Sequence, residues 1–237
     1  MSMDVQTLLL TKELYEDGQV VLIDKPRGWT SFDVIRRMRK LTRVKKIGHA
    51  GTLDPLATGL LIVCTGKFTK KINEFMAQVK EYTGTIHLGA TTPTFDLESE
   101  PERFSSIESL TPEMITAATA PFIGVIQQHP PIHSAIKQDG QRLYTLARQG
   151  IEVKTQAREV TIHSFEITEF ALPEISFKVV CSTGTYIRSL ANDLGAALGC
   201  GGYLSSLRRT RIGDFNVESA LKIESIEIDQ KGTPMPG

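Results

Sequence analysis

The residues Gly48-His49-Ala50-Gly51-Thr52-Leu53-Asp54-Pro55-Leu56-Ala57-Thr58-Gly59 form the stretch best suited to chemistry. Three glycines and a proline within these twelve residues specify a tightly shaped loop. Pro55 disfavours the helical region for the residue before it, so the Asp54 carboxylate is presented from extended backbone. Two readings follow. Asp54 can be a turn residue that bonds nearby amides, or it can act on a substrate as nucleophile or general base. His49, five residues earlier, can stack on a displaced base or simply shape the loop. A glycosidase would need a second carboxylate, and none lies near Asp54 in sequence, which weakens a hydrolase reading.

Two further residues could join that chemistry. Arg188 falls in the first turn of a helix expected from Thr185, where a cation gains nothing from the helix dipole. It is either a surface residue or has a specific partner. Tyr82 lies in the alternating run Tyr82, Gly84, Ile86, Leu88, where it can be core or an active tyrosine. Cys64, Cys181 and Cys200 are too dispersed for a disulfide framework or a CxxC metal site, and read as buried free thiols.

The elements that must position these residues follow from periodicity. Val20 to Asp24 reads as a buried strand closed by the turn Lys25-Pro26-Arg27-Gly28. Thr30 with Asp33 resembles a capping box, opening a helix with Val34, Ile35, Met38 and Leu41 on one face. Gly59 to Thr65 is a short apolar strand, and Phe68, Ile72, Phe75, Met76 and Val79 recur at helical spacing. Thr111-Pro112-Glu113 marks an N-cap followed by proline. Strands are expected at 160–170, 174–181 and 203–212. Residues 127–155 differ in character: Pro130-Pro131, an Asp139-Gly140 turn, a short helix through Leu143 and Leu146, and Gly150 suggest a projecting insertion. Two consecutive strands near 160–181 and irregular alternation elsewhere imply an α+β fold with a mixed, largely antiparallel sheet flanked by helices.

At 237 residues and 41% hydrophobic composition the chain supports one large core. No apolar run approaches the roughly 18 residues that span a bilayer, and Met1-Ser2-Met3-Asp4 does not resemble a secretory signal. A cytoplasmic protein without membrane contact is expected. The net charge is zero, yet the cations are clustered. Arg36, Arg37, Arg39, Lys40, Arg43, Lys45 and Lys46 follow one another with no acid between, and Arg208, Arg209 and Arg211 form a second group. Acids gather at 96–113 and 214–229. Such segregation fits either a solvated face or a polyanionic partner.

Five segments in order resemble one family. The Gly48–Gly59 segment looks like the catalytic motif of tRNA pseudouridine-55 synthases, the TruB family. Asp24–Gly28 resembles that family's first motif, Lys80-Glu81-Tyr82 its tyrosine motif, Cys181–Leu190 its arginine motif, and Leu207–Thr210 a match near the end. The resemblance implies a single catalytic domain of the pseudouridine synthase type over residues 1–237, with residues 127–155 as a thumb loop closing on the tRNA T arm. It implies Asp54 as the catalytic carboxylate, Arg188 as its paired cation and Tyr82 as the active-site tyrosine. His49, Tyr82, Tyr186, Leu207, Lys25 and Arg208 become substrate contacts. No cofactor or metal is expected, because the reaction involves neither redox change nor transfer to a second molecule.

Two departures stand out. His133 occupies a position where the family commonly has tyrosine, and the chain stops at Gly237, too soon for the small C-terminal RNA-binding (PUA-type) domain of many relatives. Three functions therefore compete: a stand-alone monomeric tRNA enzyme, an RNA-folding helper whose catalysis is secondary, and a guide-RNA-dependent relative in a larger particle. The thumb-like insertion together with the short C-terminus favours the first, with no obligatory protein partner.

Overall fold

The computed structural model describes residues 12–132, 137–138, 141–142 and 155–223. In chain order the elements are α1 (Lys12–Asp17), β1 (Val20–Lys25), α2 (Ser31–Thr42), β2 (Ile47–Ala50), β3 (Thr58–Thr65), α3 (Ile72–Ala77) and β4 (Lys80–Leu88). There follow α4 (Pro112–Thr119), β5 (Gly124–Gln128), the short β6 (Lys137–Gln138) and β7 (Gln141–Arg142), then β8 (Arg158–Ala171) and β9 (Glu174–Cys181). The chain continues through α5 (Ile187–Ala197), β10 (Gly202–Ile212), β11 (Phe215–Asn216) and β12 (Leu221–Lys222). These fall into two compact units, one of Met1–Lys80 with Arg208–Gly237, the other Glu81–Leu207.

In the first unit β3 is central. It pairs antiparallel with β1 and β2 and parallel with the end of β10, where Arg209 stands opposite Gly59. Leu61 and Val63 pack with Val34, Ile35 and Met38 of α2, while Leu60, Ile62 and Cys64 pack with Ile212 and Val217. Both faces of β3 are thus covered, which is why it reads as an unbroken apolar run rather than an alternating one. Each such side chain contributes roughly 1.5–3 kcal/mol by leaving water.

Helix α2 starts as its residues dictate. The Thr30 hydroxyl accepts from the Asp33 N–H at 3.1 Å, and the Asp33 carboxylate accepts from the Thr30 N–H at 2.8 Å. Hydrogen bonds from Thr30 and Arg36 hold that carboxyl down at about 2. The opposite face carries exposed Arg36, Arg39 and Lys40, and the helix ends on Arg43 in the left-handed region at φ 56.

In the second unit the sheet order is β10-β4-β9-β8-β5. β8 pairs antiparallel with both β9 and β5. Phe165 makes edge contacts with Phe122 and Phe177 at centroid distances of 6.4 and 6.1 Å. Helix α5 buries Ile187, Leu190, Ala191 and Leu194. The fold is the expected mixed α+β type, with mostly antiparallel pairing.

The local boundaries differ from expectation at several points. Residues 48–50, read as part of a loop, belong to β2 because His49 and Ala50 pair with Val63 and Ile62. Strand β5, which no periodicity marked, runs over Gly124–Gln128 and so into the first residues of the stretch whose character changes at 127. α5 begins at Ile187, not Thr185, since the Thr185 hydroxyl donates to the Ser182 carbonyl at 3.0 Å and closes a turn before the helix. The His133 position, the Asp139-Gly140 turn and the helix expected through Leu143 and Leu146 lie outside the described residues.

Candidate active site

The loop carrying Asp54 spans residues 51–57 between β2 and β3. Its shape begins with a turn: the Ala57 N–H donates to the Asp54 carbonyl at 3.1 Å, with Pro55 at the favoured second position. Gly51 and Gly59 bracket it at φ +87 and +101, conformations that a side chain strains. At Gly59 a β-carbon would also overlap the Arg209 carbonyl oxygen, so the close approach of β3 and β10 itself demands glycine.

Three neighbours then pin the loop. Ser31, the first residue of α2, accepts from the Leu53 N–H at 2.9 Å and donates to the Leu53 carbonyl at 3.3 Å. Arg209, 1% exposed, donates from Nη2 to the Gly51 carbonyl at 3.0 Å and from Nε to the Leu60 carbonyl at 2.8 Å. Lys25, fully buried, donates from Nζ to the carbonyls of Trp29 at 2.6 Å, Pro26 at 3.0 Å and Pro55 at 3.3 Å. The Gly28 N–H reaches the same Pro55 carbonyl at 2.8 Å. Asp54 itself is half-buried.

The electrostatics follow from this geometry. Burial pushes the Lys25 ammonium down to about 8, against the opposing pull of the Asp54 carboxylate. Burial and the Arg209 guanidinium lower His49, with a hydrogen bond at Gly51 acting the other way. Its Nδ1 is buried without a hydrogen-bond partner among the described residues. Arg208 grips Asp24 with both Nη atoms, at 2.9 and 2.7 Å.

The first unit thus holds Asp54, His49, Lys25 and Arg208. Lys25 has its ammonium directed at three main-chain carbonyls, and the second arginine cluster is drawn into the fold through Arg208 and Arg209.

The second unit holds Tyr82, Tyr186, Arg188 and Leu207. Tyr82 lies on β4, 8% exposed, and Leu207 on β10, half-buried. Tyr186 is the N-cap of α5. Arg188 is 4% exposed, which excludes the surface reading: its Nη1 lies 3.5 Å from the Asp96 carboxylate and donates to the Thr94 carbonyl at 3.2 Å.

Sequence reasoning missed Ser31, Arg209, Thr94 and Asp96. Ser31 sits beside the capping residue and was legible as a loop anchor only once β1 and β3 were paired. Asp96 read as one member of an acidic stretch, although it is 4% exposed.

The site is therefore a half-buried aspartate on a pinned loop, within an α+β fold built on a largely antiparallel sheet. The chain belongs to the TruB family: the profile described as "TruB family pseudouridylate synthase (N terminal domain)" matches residues 39–187. A second, "tRNA pseudouridylate synthase B C-terminal domain", matches residues 188–231. The tRNA pseudouridine synthase B of Flavobacterium johnsoniae is 54% identical over 225 residues, covering 92% of this chain and 98% of the relative. That of Phocaeicola vulgatus is 51% identical over 217 residues, covering 89% and 92%. Among solved structures, a chain of a Cbf5-Nop10-Gar1 complex superimposes with TM-score 0.69 at 29% identity, covering 94% of this chain and 55% of that one. An H/ACA RNP bound to a substrate RNA containing 2′-deoxyuridine gives TM-score 0.67 at 28% identity, over 90% and 53%.

Proposed function

We propose that this protein isomerises the T-arm uridine of tRNA, position 55, to pseudouridine, with Asp54 as the essential carboxylate. The observation that carries the reading is the anchoring of the main chain of residues 51–57 by Ser31, Arg209 and Lys25, which holds the backbone on either side of Asp54 while that residue stays half-buried. Preorganised placement of this kind is what a single reacting group needs. The names of the relatives supply the substrate class.

The reaction breaks the uridine N1–C1′ bond, turns the uracil over and joins C5 to C1′; N1 gains a proton and C5 loses one. A uracil stacked in the T arm must first be flipped out, at a cost of a few kcal/mol. Contacts from exposed cations such as Arg39, Lys40 and Lys45 to RNA phosphates offset that cost. The Asp54 carboxylate can attack C1′ or C6, or take the C2′ proton. We assign Arg188 the task of keeping that carboxylate ionised, Tyr82 a place against the flipped uracil, and His49, Tyr186 and Leu207 substrate contacts. Lys25 and Arg208, expected as substrate contacts, also serve the site by holding the Asp54 loop and β1. Both units act as one catalytic domain, in the cytoplasm, as a monomer without an obligatory protein partner or cofactor.

Unmodified tRNA carrying tritium at uracil C5 tests this with the purified protein alone. Native protein releases tritium from the T-arm uridine, and Asp54→Asn releases none while binding the tRNA within a fewfold of native affinity. Persistent release by Asp54→Asn defeats the assignment. Binding by the native protein without release would favour an RNA-folding helper.

A further inference from the structure

Gln128 closes β5, where it stands opposite Arg158, and its side chain is 2% exposed. A buried amide must find partners, and this one finds both on a single residue. Its Oε1 accepts from the Tyr186 N–H at 2.7 Å, and its Nε2 donates to the Tyr186 carbonyl at 3.0 Å. Tyr186 is the N-cap of α5 and offers the helix no side-chain cap of its own. Its carbonyl also accepts the first helical bond, from the Leu190 N–H at 3.1 Å.

The neighbouring residue repeats the attachment. The His129 carbonyl accepts from the Ser189 hydroxyl at 2.8 Å, and His129 Nδ1 lies 3.2 Å from the Thr155 carbonyl. Residues 128 and 129 therefore grip the chain on both sides of Arg188, at Tyr186 and at Ser189. The guanidinium is held at its far end by Thr94 and Asp96. A rotation about the Tyr186 backbone would swing its phenol and the Arg188 side chain together, and the Gln128 amide locks both main-chain groups that such a rotation must move.

We propose that Gln128 is a positioning residue: it sets the backbone of Tyr186, and through it the directions of Tyr186 and Arg188, without touching substrate. The inference rests on the reading of those two residues as parts of the uridine-isomerising reaction. Gln128→Met keeps the volume and removes both hydrogen bonds. Gln128→Glu keeps an acceptor for the Tyr186 N–H but, ionised, turns a second acceptor on the Tyr186 carbonyl. Protonated, it becomes a donor there and restores the native pairing, and burial favours that form.

Single-turnover tritium release and tRNA binding are measured with the full chain, alongside Asp54→Asn. Gln128→Met is expected to slow release about ten- to a hundredfold, with tRNA affinity within twofold. Gln128→Glu, which carries the test if Gln128→Met fails to fold, is expected to recover relative to native protein as pH falls from about 8 to about 6. The Tyr186 amide resonance shifts upfield in Gln128→Met as its acceptor is removed. A Gln128→Met rate within twofold of native, or a Gln128→Glu profile parallel to native, overturns the inference. Loss of rate only in proportion to loss of affinity or melting temperature overturns it too. Release by Asp54→Asn sinks the underlying reading instead and is distinguishable from all of these.

Discussion

Lys25 shows how one charge can organise a loop while opposing its own burial. The ammonium holds Pro26, Trp29 and Pro55, and desolvation lowers it from 10.5 to about 8. Between those two values the unfolded chain keeps a proton that the folded chain has released, so stability rises with pH across that window. The gain amounts to about 1.4 kcal/mol for each full unit of difference. Urea unfolding should therefore show native protein gaining stability between pH 8 and 10 relative to Lys25→Met. At pH 7 that variant should be less stable by about 1–3 kcal/mol, because three carbonyls lose their donor. A stability difference that does not change with pH would refute the account. Legibility at this scale was uneven. The Asp54 loop could be recognised because glycine and proline constrain their own backbone. Asp96 could not, because its burial depends on a guanidinium brought from α5 by tertiary folding, and nothing local distinguishes it from the solvated acids that follow.

The elements obey the same division between local and distant causes. Helix α2 was readable at both ends and along its buried face, since capping and spacing are written in adjacent residues. Strands β2 and β5 were not, because pairing with β3 and β8 decides them. The cap of α2 also bears on the site, for Ser31 follows Thr30 directly and holds Leu53. Thr30→Ala should cost about 1 kcal/mol of stability. It should also slow tritium release, because the anchor of the loop is displaced; unchanged release at lowered stability would separate the cap from the site.

At the scale of the whole molecule, a net charge of zero conceals a division of labour. Arg36, Arg39, Lys40, Arg43, Lys45 and Lys46, on and after α2, are exposed, whereas Arg208 and Arg209 are engaged within the first unit. If the exposed set meets RNA phosphates, replacing Arg39, Lys40 and Lys45 with glutamate should weaken tRNA binding regardless of sequence. It should also flatten the dependence of log affinity on log salt by about one unit for each phosphate no longer neutralised. Equal salt slopes for native and altered protein would remove this face from the interface. The fold class was legible at this scale because consecutive strand patterns between 160 and 181 need only local alternation; the grouping of the chain into two units left no mark in composition or linker.

The three cysteines offer a means of watching each unit breathe. Cys64 is wholly buried in the first unit and held up at about 11, while Cys181 and Cys200 are buried in the second. Buried in the native state, they should be silent toward alkylating reagents, which need an exposed thiolate. The pace at which each is labelled then becomes a clock for local opening, and the same reagent, read out by mass, times the loosening of the Asp54-bearing unit separately from that of the Arg188-bearing one.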